Sequence, residues 1–176
     1  YSGLSRRGVE LVHETVTGID TSASEVQTES GVVGYDHLVV ALGAALDPVR
    51  IPGLSEHTHH PYDLPSAERL RDALHRFTGG RVTVAIASLP YKCPAAPYET
   101  AMLIDGYLRQ RGIRDVSLVA MYTPEPLPLP VAGPQAGYSV AAELAARGIT
   151  FHPRTPLEGV EPTALRFGGE LVPHDL

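Results

Sequence analysis

The chain has 176 residues, 43% of them hydrophobic and 19% charged, and a net charge of −6. These values suit an ordinary globular chain of one domain, or of one domain with part of a second, and no basic block supports nucleic-acid binding. A single cysteine, Cys93, excludes an internal disulfide framework and fits a reducing compartment, and no apolar run approaches the ~18 residues of a membrane span. The first residue is Tyr1 and the last is Leu176, so a piece of a longer protein is expected.

Residues 8–42 read as β structure. Gly8 to Glu14 alternates apolar and polar side chains as a half-buried strand does. Ile19, Val26 and Thr28 continue in short strands broken by Asp20-Thr21-Ser22 and Ser30-Gly31, which predicts an antiparallel meander. His37 to Leu42 is a continuous apolar run ending at Gly43 and predicts a strand covered on both faces. Residues 44–65 carry Pro48, Pro52, Gly53, Pro61 and Pro65 and read as a crossover linker.

Ser66 to Phe77 places Leu70, Ala73, Leu74 and Phe77 at helical spacing, with Asp63 or Ser66 as its N-cap. A buried strand follows over 81–87, then a helix over 98–111 stopped by Gly112, and a second buried strand over 116–121. A proline-rich segment, 123–134, leads to a helix over 135–147 and a strand over 149–152. Residues 157–176 read as a closing hairpin turning at Gly168-Gly169. The order β-α-β-α-β predicts an α/β lobe with a parallel sheet and right-handed crossovers.

The junction between strand 81–87 and helix 98–111 carries Lys92-Cys93-Pro94-Ala95-Ala96-Pro97-Tyr98-Glu99. A dinucleotide-binding unit places a glycine-rich phosphate loop there. This loop holds a thiol and prolines instead, and proline lacks the N–H groups that cradle phosphate. NAD(P) binding is therefore doubtful. Lys92 and the N-terminus of the following helix both favour a thiolate at Cys93, which could attack a disulfide or hold a persulfide. The bland alternative is an inert buried cysteine.

Glu99, in the first helical turn, is either a carboxylate compensating the helix dipole or a general base near the thiol. Gly43 and Ala44 follow a buried strand, where glycine admits a ligand close to the backbone or simply ends the strand. His57, His59 and His60 lack the ligand framework of a metal site and read as a solvated linker; no metal is assigned. The stretch Gly133 to Gly137 falls short of a phosphate loop and reads as a helix start.

Tyr35-Asp36-His37-Leu38-Val39-Val40-Ala41-Leu42-Gly43-Ala44, followed by Ile51-Pro52-Gly53-Leu54, resembles the two-dinucleotide-domain flavoproteins that include the pyridine nucleotide-disulfide oxidoreductases. Leu42 stands where the family pattern has threonine. The Cys-Pro-x-x-Pro-Tyr-Glu run at Cys93 is similar to the sulfide:quinone oxidoreductase and flavocytochrome c sulfide dehydrogenase branch. The resemblance covers nearly all of this chain but only the middle of such a protein.

It implies a partial FAD-binding domain over residues 1–50, a linker over 51–65 and an NAD-binding-like, three-layer Rossmann domain over 66–176. It also implies an FAD-dependent oxidoreductase in which Cys93 is one of a redox pair of cysteines. Val16 would meet the adenine, and Ala41, Gly43 and Ala44 would lie near the flavin. Sulfide would be the substrate, with a quinone or a cytochrome accepting the electrons.

The glycine-rich FAD loop and the second cysteine of such proteins do not occur in this sequence, so the isolated chain is expected to be inactive. Its open apolar edges suit a homodimer, and the intact protein would be cytoplasmic or a peripheral membrane protein. Two other readings stand beside this one. One is an NAD(P)H-dependent flavoprotein disulfide or quinone reductase; the other is a non-catalytic nucleotide-binding lobe.

Overall fold

Short β-branched runs separated by polar turn residues build an amino-terminal meander. Its strands are β1 (Val16–Asp20), β2 (Glu25–Thr28) and β3 (Val32–Gly34), paired antiparallel in the order β1-β2-β3. Asp20 makes the first turn, its Oδ1 accepting from the N–H groups of Ser22 and Ala23 at 2.8 and 2.9 Å. The computed structural model describes residues 3–176, which fall into two units, one ending at Ala44 and one from Ala45 to Leu176.

Two expected strands of the first unit do not form. Residues 9–14 pair with no ladder, and a short 3-10 turn, Ser5–Arg7, precedes them and ends at left-handed Gly8. Glu14 is engaged locally, its carboxylate accepting from the N–H and hydroxyl of Ser30. Alternation alone does not make a strand where no neighbour offers its own N–H and C=O groups. The run 37–42 is likewise unpaired, and Val39 and Leu42 are 86% and 85% exposed. A doubly covered strand needs a ladder and two packed faces, and among the described residues nothing supplies them.

The second unit opens with a 3-10 turn, Pro48–Arg50, and the one-turn helix α1 (Leu54–His57). Gly53 before it is left-handed, and an added Cβ would collide with the carbonyl of Val160. Helix α2 (Leu64–Arg76) starts where Asp63 accepts from the Ser66 N–H at 2.8 Å, the capping expected of Asp63. Then β4 (Gly80–Ala85), α3 (Ala96–Gln110), β5 (Ser117–Tyr122), α4 (Pro134–Ala146) and β6 (Ile149–His152) follow in turn. The three strands are parallel in the order β4-β5-β6, with Val82 beside Val119 and Val119 beside Ile149.

Strand alternation sorts β5 cleanly. Ser117, Val119 and Met121 are buried on the helix side, whereas Leu118 is exposed on the other. Helix α3 presents Tyr98, Ala101, Ile104 and Leu108 at i, i+3, i+6 and i+10, and these pack with Val82, Val119, Met121, Leu144 and Ile149. Burying each of the larger side chains contributes about 1.5–3 kcal/mol.

The segment 157–176 is richer than the expected hairpin. It forms three antiparallel strands, β7 (Leu157–Glu161), β8 (Ala164–Phe167) and β9 (Glu170–Pro173), with Gly168-Gly169 turning β8 into β9. Leu157, Val160, Leu165 and Phe167 pack against Ala85 and Tyr122 on the second face of the parallel sheet. The unit is therefore three layers: helices, parallel sheet, meander. The Tyr122 ring stacks between His152 at 4.2 Å and Phe167 at 4.4 Å.

Candidate functional site

The loop over residues 86–95 leaves the carboxyl end of β4, where open α/β sheets gather their ligand-binding groups. It contains no glycine. Cys93 is exposed and its φ is +59°, a left-handed conformation that costs a side chain about 1–2 kcal/mol. Its carbonyl accepts from the Ala96 N–H at 3.1 Å, closing a turn that delivers the chain into α3. Pro97 lies in the first turn of α3, where its missing N–H costs nothing, and is buried.

The carbonyls of the two residues that flank Cys93 are each met by a tyrosine hydroxyl. Tyr62 donates to the Lys92 carbonyl at 2.7 Å, and the Tyr91 hydroxyl lies 3.3 Å from the Pro94 carbonyl. The Lys92 ammonium sits 5.9 Å from the centre of the Tyr62 ring. Burial first, then the electrostatic influence of the nearby Cys93 side chain, raises the Tyr62 hydroxyl above its ordinary pKa.

Beneath the loop is a carboxylate that sequence reasoning missed. Glu125 follows β5 and is 4% exposed. Tyr98 donates to it at 2.6 Å and Tyr91 reaches both of its oxygens at 3.0 Å. Burial first, then the hydrogen bond to Glu125 and its charge, push both tyrosine hydroxyls far above their ordinary values. The available signal was the pattern Thr123-Pro124-Glu125-Pro126, a carboxylate fixed between prolines at a strand's carboxyl end.

The sequence-predicted residues are placed as follows. Glu99 is exposed on the first turn of α3, and among the described residues its carboxylate has no hydrogen-bond or ion-pair partner. Cys93 and Glu99 thus share one strand-to-helix junction. Val16, Ala41, Gly43 and Ala44 belong to the first unit. Val16 begins β1 and is 50% exposed. Ala41 and Ala44 are exposed, and Gly43 is left-handed at φ +74° with open space where a side chain would stand. His57 and His59 are exposed and His60 is half-buried, and no group of three metal-ligating side chains occurs among the described residues. The stretch at Gly133 is a helix start, as expected, since α4 begins at Pro134.

Residues 3–167 match the family model described as pyridine nucleotide-disulphide oxidoreductase. The chain belongs to that family. Within this oxidoreductase family it is similar to the sulfide:quinone oxidoreductases. The mitochondrial sulfide:quinone oxidoreductase of Mus musculus is 30% identical over 113 residues, covering 61% of this chain and 25% of that protein. The sulfide-quinone reductase of Aquifex aeolicus is 27% identical over 167 residues, covering 90% of this chain and 38% of that one.

The crystal structure of the sulfide:quinone oxidoreductase from Aquifex aeolicus superposes with a TM-score of 0.71 at 26% identity, over 97% of this chain and 42% of that chain. The chain therefore spans well under half the length of these relatives. The pyridine nucleotide-disulphide oxidoreductase fold accounts for the three-layer second unit. No helix among the described residues is long and apolar enough to cross a membrane.

Proposed function

We propose that this chain is the central part of an FAD-dependent enzyme that oxidises sulfide, with Cys93 as the residue that takes up sulfur. The observation that carries this reading is the exposed, left-handed Cys93 at the carboxyl end of the parallel sheet, in a loop with no glycine for a phosphate. The names of the similar proteins support the same substrate and a quinone acceptor.

The first unit fits a flavin in one respect: at Gly43 the backbone is open to close approach by a flat group. Ala41, Gly43 and Ala44 would hold the flavin and Val16 the adenine. When bound, FAD supplies a two-electron acceptor for the oxidation of sulfide sulfur to the zero-valent state, from which a quinone or cytochrome takes the electrons.

The step at Cys93 is an exchange. Hydrosulfide attacks the Cys93 sulfur in a disulfide shared with a second cysteine of the intact protein. The S–S bond breaks, Cys93 keeps a persulfide and the second sulfur leaves as a thiolate. Glu99 would accept the persulfide proton.

The test is anaerobic reduction of the flavin by sulfide in the full-length protein, beside Cys93→Ser and Glu99→Gln. The parent should bleach, Cys93→Ser should not, and Glu99→Gln should slow by about 10²-fold. Unchanged bleaching in Cys93→Ser would overturn the role of Cys93. Bleaching by NADH without any response to sulfide would replace the reading with that of an NAD(P)H-dependent reductase.

A further inference from the structure

Glu125 has no cation within ion-pair distance among the described residues, yet it is 4% exposed. A buried carboxylate is costly to desolvate unless hydrogen bonds replace the lost water. Here hydroxyls do so: Tyr98 at 2.6 Å, Tyr91 at 3.0 Å to both oxygens, and Thr123 at 3.4 Å. The backbone is anchored too. The Glu125 N–H donates to the Thr123 hydroxyl at 3.1 Å, and its carbonyl accepts from the Arg154 N–H at 3.0 Å.

The tyrosines differ in what else they touch. Tyr98 belongs to α3 and its hydroxyl ends on Glu125. Tyr91 belongs to the Cys93 loop, and its hydroxyl also meets the carbonyl of Pro94, the residue after the thiol. That hydroxyl has one proton and three acceptor atoms around it. With the carboxylate ionised, the proton goes to Glu125, and the loop is held by the Tyr91 side chain itself. With a donor at position 125, the Tyr91 oxygen accepts and its proton turns to the Pro94 carbonyl. In both arrangements the side chain at position 125 decides where Tyr91 stands, and the Tyr91 hydroxyl lies against the carbonyl that follows the strained residue.

We propose that Glu125 is a positioning residue for Cys93, acting through Tyr91 on the loop that presents the thiol. The proposal rests on Cys93 being the reactive thiol. Its test has a readout that does not depend on sulfide turnover.

The rate of Cys93 alkylation by iodoacetamide is measured in the full-length flavoprotein after reduction of the disulfide that Cys93 shares, and is read at the Cys93 peptide by mass spectrometry, together with the thermal midpoint, for four variants. Tyr91→Phe should slow alkylation about fivefold, the weight of one hydrogen bond, while Tyr98→Phe should stay within about twofold of the parent although its midpoint falls. Glu125→Ala should slow alkylation as Tyr91→Phe does, and Glu125→Gln, whose amide can still bond Tyr91, should restore it. In sulfide-driven flavin reduction, Tyr91→Phe should lower the limiting rate and leave the half-saturating sulfide concentration unchanged.

A parental alkylation rate in Tyr91→Phe, equal slowing in Tyr91→Phe and Tyr98→Phe, or Glu125→Gln as slow as Glu125→Ala would each overturn the proposal. Because alkylation needs no sulfide, these results separate from the failure of Cys93→Ser to block flavin reduction, which would instead sink the assigned function.

Discussion

The hydroxyl of Tyr62 donates a 2.7 Å hydrogen bond to the carbonyl of Lys92, the peptide that leads into Cys93. The two residues lie thirty positions apart, so this bond joins the segment before α2 to the thiol loop. Tyr62→Phe keeps the ring under Lys92 and removes only that bond. A loss of about 1 kcal/mol is expected. Urea unfolding should show a lower midpoint with an unchanged slope.

Tyr91 and Tyr98 give the chain an alkaline limit. Both hydroxyls are held far above their ordinary values, by burial first and by Glu125 second. A raised pKa in an acid means that the folded state favours the neutral phenol. The stability it contributes is complete below the unfolded value of about 10 and is lost as pH rises through the folded values. Thermal midpoints should therefore fall steeply above about pH 10. Tyr98→Phe, less stable at neutral pH, should show a shallower fall; an identical slope in variant and parent would contradict the assignment.

Asp105 is fully buried and ties three elements together. Its carboxylate accepts from Arg109 at 2.9 Å and from Arg114 at 2.5 Å, with Arg147 at 3.8 Å. Arg114 in turn donates to the carbonyls of Arg147 and Gly148, joining α3, the start of β5 and the end of α4. Asp105→Ala would leave the mostly buried Arg114 unpaired and should cost about 3–5 kcal/mol.

Burial pushes the Asp105 carboxyl up, but the hydrogen bonds from Arg109 and Arg114 outweigh it and hold the group below its ordinary value. Its contribution is thus present above the unfolded value of about 3.9 and lost as pH falls through the lower folded one. Acid unfolding of Asp105→Asn should lack this component of the parent's pH dependence.

Cys93 adopts a conformation that suits glycine. Cys93→Gly should be more stable than Cys93→Ala by about 1 kcal/mol, the left-handed penalty that alanine still carries. Both variants should be inert to iodoacetamide. If alanine were as stable as glycine, the strain assigned to the loop would be absent.

Much of the second unit was legible before any coordinates. Val82, Val119 and Ile149 sit in short apolar runs separated by helical patterns with clear stops, and a β-α-β-α-β order leaves few topologies. The cap of α2 was narrowed to Asp63 or Ser66, because capping is a contact between near neighbours, and Asp63 holds it. The runs 8–14 and 37–42 misled because their patterns describe one strand, whereas a strand exists only with the partner beside it. The third strand of the closing meander escaped notice for a related reason: the turn at Gly168-Gly169 is obvious, but that at Pro162-Thr163 carries no glycine.

Local chemistry in the sequence was enough to single out Cys93: a thiol beside a lysine, between prolines, where a strand meets a helix. It also identified the family, since such motifs are runs of adjacent residues. What tertiary structure alone decided is how that thiol is held. Tyr62 reaches the Lys92 carbonyl across thirty residues, and Glu125 lies under Tyr91 because β4 and β5 run parallel with their carboxyl ends together. A hydrogen bond between distant residues leaves no periodicity to read, so the buried carboxylate beneath the loop became visible only once the sheet was built.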